Sequence, residues 1–282
     1  MIRLTENRYG KCRVRLMRVK RDRPLHLCQE WTVEILLTGD FDSCYESGDN
    51  SKILATDTMK NTVYSLARDS KAEFIEDFAK ELGTFLLHEN SQADTVTISI
   101  ASTPWNRITV DGKPHPSAFE RTGGASQNTT VLCSRGKAPC VSSGIDNLVI
   151  MKTANSGFEG FIRNPLTTLP ETSDRLFATA LRAEWSYRAG DLPFDDLAKK
   201  TKEVLLQAFA EHDSKSVQHT LYAMGQAVLD TLEPIREIQL VMPNKHCLLV
   251  DLSRFGQTNP NEIFVPTDEP YGYIEGRLSR ED

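Results

Sequence analysis

The sequence predicts an α+β protein of two tandem halves, each an antiparallel sheet carrying helices. Three observations predict it. Several stretches alternate apolar and polar residues with period two. Four others carry an apolar stripe at helical spacing. The order strand, strand, helix, helix, strand, strand then occurs roughly twice along 282 residues, without convincing residue identity between the copies.

In the first half, Cys12, Val14 and Leu16 alternate with basic residues over 12–22, and a second run follows over 31–37. The two read as an antiparallel hairpin with one wet face. Helical period begins after Thr56-Asp57, with Met59, Val63, Tyr64 and Ala67 on one face and Asp57 as the expected N-cap. A stronger helix is expected over 71–88, where Phe74, Ile75, Phe78, Leu82, Phe85 and Leu86 form one stripe. Residues 95–100 read as a strand, and 107–110 run into the hairpin signal Asp111-Gly112. A loop is expected over 121–128 and another strand over 129–132.

Loop composition over 134–147 places the boundary there, giving domains 1–137 and 138–282. Strands over 148–153 and 178–187 open the second half. Helices over 194–211 and 216–232 follow, and strands over 236–242 and 246–252 close it. Pro243-Asn244-Lys245-His246 reads first as a turn between the last two strands.

Composition excludes several classes. The chain is 39% apolar and 26% charged, enough to bury a core. Its 33 basic and 39 acidic residues leave a net charge of −6, against an overall nucleic-acid footprint. No apolar run approaches the roughly 18 residues of a membrane span. No signal-peptide core opens the sequence, and Ser279-Arg280-Glu281-Asp282 carries no peroxisomal S-K-L address, so a cytoplasmic location is expected. Six cysteines without a C-x-x-C pair read as reduced, mostly structural thiols.

Familiar reaction centres are missing from the sequence. There is no G-x-G-x-x-G after a strand, no G-x-x-x-x-G-K-[ST] and no G-x-S-x-G. His26, His88, His115, His212, His219 and His246 show neither H-x-H nor H-E-x-x-H spacing, so no metal site is expected. Polar residues in unusual places remain. Thr56-Asp57 opens a helix, whose free N–H groups attract an anion. Lys11 starts the first strand, Arg175 precedes Leu176-Phe177, Gln218 sits one turn into a helix after Ser216-Val217, and Phe158 lies in a run of small residues. Each alone also reads as a cap, a surface residue or core.

Taken together, these segments resemble urate oxidase. Tyr9-Gly10-Lys11 is similar to that family's lysine segment. Ala-Thr-Asp-Thr-Met-Lys-Asn-Thr-Val-Tyr at 55–64 resembles its threonine–aspartate helix start, and Asp-Gly-Lys-Pro-His-Pro at 111–116 its mid-chain hairpin. The longest signature is Leu-Val-Ile-Met-Lys-Thr-Ala-Asn-Ser-Gly-Phe at 148–158, continuing to Thr167-Thr168-Leu169 and Asp174-Arg175. Ser216-Val217-Gln218 and Leu-Val-Met-Pro-Asn-Lys-His at 240–246 complete the set. Glu159, Asn164 and Leu166 depart from the signature.

The resemblance implies two tunnelling-fold (T-fold) domains, each an antiparallel sheet with helices on its concave face. It implies a homotetramer with active sites between subunits, Lys11 and Thr56 coming from one chain and Phe158, Arg175, Val217, Gln218, Asn244 and His246 from its neighbour. It implies oxidation of urate by O2 to 5-hydroxyisourate with release of hydrogen peroxide, using no cofactor and no metal. These residue types suit that chemistry. Arg175 can make two parallel charge-assisted bonds to a planar anion, and Gln218 can read an adjacent carbonyl and N–H. Phe158 offers a stacking face, and the N–H groups of Val217 and Asp57 add fixed dipoles. Lys11 bonded to Thr56 is the expected proton shuttle, its pKa lowered by desolvation and a nearby cation, with His246 extending the relay. Asn244 and Thr56 are the expected pair for oxygen and then water. Two alternatives stay open: another T-fold purine or pterin enzyme, which calls for zinc histidines, and a purine-binding tetramer without catalysis.

Overall fold

The computed structural model describes residues 2–121, 123–188 and 192–281. Thr122, within the loop expected over 121–128, and Asp282, in the C-terminal tetrapeptide, lie outside the described residues. The chain divides into two compact units, one running to Gly144 and including Ser186–Asp196, the other comprising Ile145–Trp185 and Leu197–Asp282.

In the first unit, β1 (Tyr9–Lys20) and β2 (Leu27–Gly39) form the expected hairpin, with Val14 opposite Val33. The short α1 (Asp42–Ser47), α2 (Thr56–Asp69) and α3 (Ile75–Glu89) follow. Next come β3 (Ala93–Thr103), the separate hairpin of β4 (Trp105–Val110) and β5 (Lys113–Arg121), and β6 (Ser126–Ser134). The strand order β1-β2-β3-β6 is antiparallel throughout. Period two does the work on β2, where Trp31, Val33, Ile35 and Leu37 all point into the core. Met59, Val63 and Ala67 of α2 and Ile75, Phe78, Leu82 and Leu86 of α3 cover them.

The α3 stripe is narrower than the sequence suggests. Phe74 and Phe85 are each 40% exposed, because they flank the buried arc without facing the sheet. Asp57 is not the N-cap of α2. Ala55 holds that position with φ −58° and ψ 135°, and no side chain caps the first turn. Arginines close the helix C-termini. Arg18 donates to the carbonyls of Ser70 and Ala72 beyond α2, and Arg135 to that of Leu87 in the last turn of α3 and those of Asn90 and Ala93 beyond it.

A strand occupies much of the loop expected over 134–147: β7 runs Cys140–Lys152. Its small polar residues read as a loop, yet sheet pairing uses backbone groups that every residue carries. The chain continues with β8 (Phe177–Tyr187), α4 (Phe194–Glu211), α5 (Val217–Thr231), β9 (Ile235–Val241) and β10 (Asn244–Leu249). Two further strands that the sequence pattern does not predict, β11 (Phe264–Gly272) and β12 (Glu275–Ser279), complete it. The segment 243–246 is not a turn. Both β9 and β10 pair with β8, and Pro243, which lacks an N–H, only interrupts the run. Further, β10 pairs with β11 and β9 with β12, and α5 packs on β9 and β12. Leu181, Ala183, Trp185, Ile238 and Leu240 are buried there. The fold is thus α+β with antiparallel pairing, as expected. Among the described residues no helix is long and apolar enough to cross a membrane.

Candidate active site

Each unit holds one group of the predicted residues. In the first unit, Tyr9-Gly10-Lys11 opens β1. A side chain at Gly10 is impossible, since a Cβ there lies 1.8 Å from the Ile35 carbonyl oxygen. The Tyr9 hydroxyl accepts the Leu54 N–H at 2.9 Å, and its ring meets Phe41 edge-on at 4.8 Å. Burial pushes the Tyr9 phenol above its ordinary pKa. These contacts tie the start of β1 to the segment leading into α2. Directly after Lys11 the β1–β2 register shifts, with Arg13 at φ 57°, a bulge that re-aims the strand.

Thr56 and Lys11 are half-buried, and Asp57 is exposed. The Asp57 carboxylate bonds Lys60 at 2.5 Å and Asn61 at 3.0 Å. Lys60 holds it below the usual carboxylate range, with a smaller contribution from Lys11. Lys11 therefore sits within electrostatic reach of the α2 N-terminus, whose amides have no side-chain cap. No hydrogen bond joins Lys11 to Thr56 in the single chain.

In the second unit the loop after β7 is locked backbone to backbone. Phe158 and Thr172 exchange N–H···O bonds of 2.8 and 3.2 Å, Gly157 N–H donates to the Ser214 carbonyl at 2.8 Å, and Arg175 N–H to that of Ser156 at 2.7 Å. The Asp174 carboxylate accepts the Ser156 N–H at 3.1 Å. A Cβ on Gly157 would lie 2.9 Å from the Ser173 carbonyl oxygen, so glycine permits this approach.

The lock sets Arg175 against Phe158, its guanidinium carbon 5.2 Å from the ring centroid. Arg175 Nε is buried without a partner, and burial lowers the guanidinium pKa. A buried, unpaired charged donor is destabilising by itself and is compensated when an anion binds. Phe161, unremarked in the sequence, stacks on Phe158 at 4.9 Å with planes 10° apart. The two rings read alike in sequence, and only the fold pairs them.

Phe158, Arg175, Asn244 and His246 line one cavity of about 420 Å³, with Thr172 and Asp174 in the same wall. The interrupted β9–β10 run delivers Asn244 and His246 there: Asn244 pairs with Thr179 of β8 and Gly272 of β11. Val217 and Gln218 are not in the lining. They form the first turn of α5, with Ser216 as N-cap accepting the His219 N–H. Through Ser214, that turn is tied to the same Ser156–Gly157 backbone that holds Arg175. Among the departures from the signature, Asn164 is accounted for: its side-chain oxygen accepts the Leu166 N–H at 2.9 Å and holds an exposed turn.

A family model for uricase matches residues 7–132 and 141–275. The chain belongs to the uricase family. A protein named uricase from Arthrobacter globiformis is 42% identical over 281 residues, covering 99% of this chain and 90% of its own length. One from Dictyostelium discoideum is 40% identical, covering 99% and 98%. The crystal structure of uricase from Arthrobacter globiformis superposes with TM-score 0.95 at 39% identity, covering 100% of this chain and 96% of that one. A urate oxidase structure from Bacillus sp. TB-90, at 21% identity and TM-score 0.84, shares the fold over 98% and 100% of the two chains. The two matched segments of the uricase model agree with tandem domains.

Proposed function

We propose that this member of the uricase family is a urate oxidase that converts urate, O2 and water to 5-hydroxyisourate and hydrogen peroxide. The observation that carries the reading is Arg175: a half-buried guanidinium whose Nε is buried and unpartnered, beside an aromatic ring, in the wall of a cavity that also presents Asn244 and His246.

In this reading Arg175 and Gln218 grip the edge of the planar anion, and Phe158 stacks on it. The N–H groups of Val217 and Asp57, each at a helix start, supply further positive dipole. Urate is its own electron source, and the scheme uses no metal or organic cofactor. Lys11, acting with Thr56 and His246, takes a proton so that the ring becomes a better donor. Asn244 and Thr56 hold O2 and afterwards the water that adds to the oxidised ring; the two electrons and two protons leave as hydrogen peroxide. The scheme assembles in a homotetramer of T-fold domains, Lys11 and Thr56 facing the second group on a neighbouring subunit.

The test is to mix protein and urate in air and follow the urate ultraviolet band together with oxygen uptake and peroxide. The reading expects equimolar loss of urate and oxygen and matching peroxide. Urate loss without oxygen uptake contradicts it.

A further inference from the structure

The first turn of α5 carries Val217 and Gln218, and two histidines that the scheme does not use close the segment leading into it. His212, just past the end of α4, and His219, on the first turn of α5, meet edge to face with ring centroids 4.3 Å apart and planes at 67°. His212 Nε2 lies 3.2 Å from His219 Nδ1. A third group decides the direction of this bond: the Lys215 N–H approaches the same Nδ1 at 3.4 Å. A ring nitrogen facing two donors offers its lone pair. The proton in the bond therefore belongs to His212 Nε2, and neutral His219 carries its own proton on Nε2.

The backbone around the pair is braced independently. The Ser216 side chain accepts the His219 N–H at 3.1 Å, and Ser214 Oγ donates to the Ser216 carbonyl at 3.1 Å. Lys152 donates to the His212 carbonyl at 2.5 Å. The histidine bond is thus a side-chain link in this turn whose existence depends on the protonation state of a histidine.

We infer that His212 and His219 are positioning residues: their bond fixes the turn that presents Gln218, and it holds only while His219 Nδ1 is unprotonated. The inference rests on the reading of Gln218 as a substrate-binding residue. Protonating Nδ1 replaces the acceptor with an N–H opposed to two donors. The charged groups acting on His212 are Lys152 of β7 and Asp213 and Lys215 of the turn. Asp213 is already engaged with Lys215 at 2.6 Å, and its effect on His212 is smaller than that of Lys152. Burial, then His219 and Lys152, hold His212 below the ordinary histidine value, as a neutral donor at neutral pH.

Steady-state kinetics with urate test this. His219→Ala is expected to raise KM about three- to tenfold, the worth of one hydrogen bond, with kcat within about twofold. His219→Asn places an amide oxygen near the position of Nδ1 that cannot be protonated in this range, and its KM at about pH 7.5 should match the wild type. Between about pH 7.5 and 5.5 the ratio of wild-type KM to His219→Asn KM should rise at least about threefold; the titration of urate itself cancels in that ratio. His212→Gln, which keeps a donor near Nε2, should behave as wild type at the upper pH. A ratio that stays flat with pH overturns the inference, as does a wild-type KM in His219→Ala alongside a raised KM in Gln218→Ala. An unchanged KM in Gln218→Ala instead removes the binding role of Gln218 and this inference with it.

Discussion

Arg175 and Lys11, the two cations on which the proposed reaction depends, stand in contrasting surroundings. Arg175 lies in a cavity wall, its Nε desolvated and unpartnered, on a loop held by backbone bonds to Ser156, Thr172 and Ser214. Lys11 sits half-buried beside a bulge on β1, next to a carboxylate that already serves Lys60. Desolvating a charge is unfavourable, so it needs a rigid frame, and the second unit has one. The proposed binding group is preorganised within one chain; the proposed proton-transfer group is only placed, and in the proposed tetramer its enclosure comes from a neighbour.

The largest expected effect tests the lysine side of that contrast. Lys11→Met should lower kcat by about 10²–10⁴, the usual span for a positioned acid–base group, and leave KM within about threefold. Oxygen-electrode kinetics check this, and near-normal turnover removes Lys11 from the relay. Arg175→Ala tests the other side. It should reduce kcat/KM by about 2–4 kcal/mol, since a charged hydrogen-bonded pair in a dry site is lost. Arg175→Lys should recover only part, because an ammonium lacks the planar fork.

Smaller effects compare the frames of the two units. Arg18 is 8% exposed and closes α2 in the first unit. Arg280 does the same for α5 in the second, donating to the carbonyls of Leu229 and Ile235. Arg18→Ala should destabilise the first unit by about 1.5–3 kcal/mol, as expected for charged hydrogen bonds, read from urea unfolding. If Arg280→Ala matches it, the two units close their helices equivalently.

The smallest effect concerns Glu76, fully buried at the start of α3. Its Oε1 accepts from Ser143 at 2.6 Å and its Oε2 has no partner. Burial pushes its pKa up. A raised folded-state pKa means that Glu76 favours folding at low pH, and the benefit is lost as pH rises through that value. Glu76→Gln should therefore gain Tm over wild type progressively from acid to neutral pH, with the two converging below the ordinary glutamate value. A constant difference contradicts an ionising Glu76.

Much of the fold was legible because it rests on local period. The α4 stripe, the α5 stripe and the β1–β2 alternation each declare a face, and each element formed there. What escaped was set by partners distant in sequence. Cys140–Gly144 forms strand although its composition reads as loop. Pro243 reads as a turn, but β8 holds both flanking strands, and β11 and β12 lack a strong apolar alternation because most of their residues are exposed. At the site, the resemblance named Arg175, Phe158, Asn244 and His246, which the fold brings to one cavity. The stacking of Phe161 and the His212–His219 bond depend on loop closure, and no spacing rule announces either one.

The central claim is a division of labour: Arg175 holds the anion and Lys11 moves its proton. Urate binding measured by calorimetry without oxygen tests it directly. Lys11→Met should bind within about threefold of wild type, while Arg175→Ala weakens binding by at least about thirtyfold. Wild-type affinity in Arg175→Ala would contradict the account.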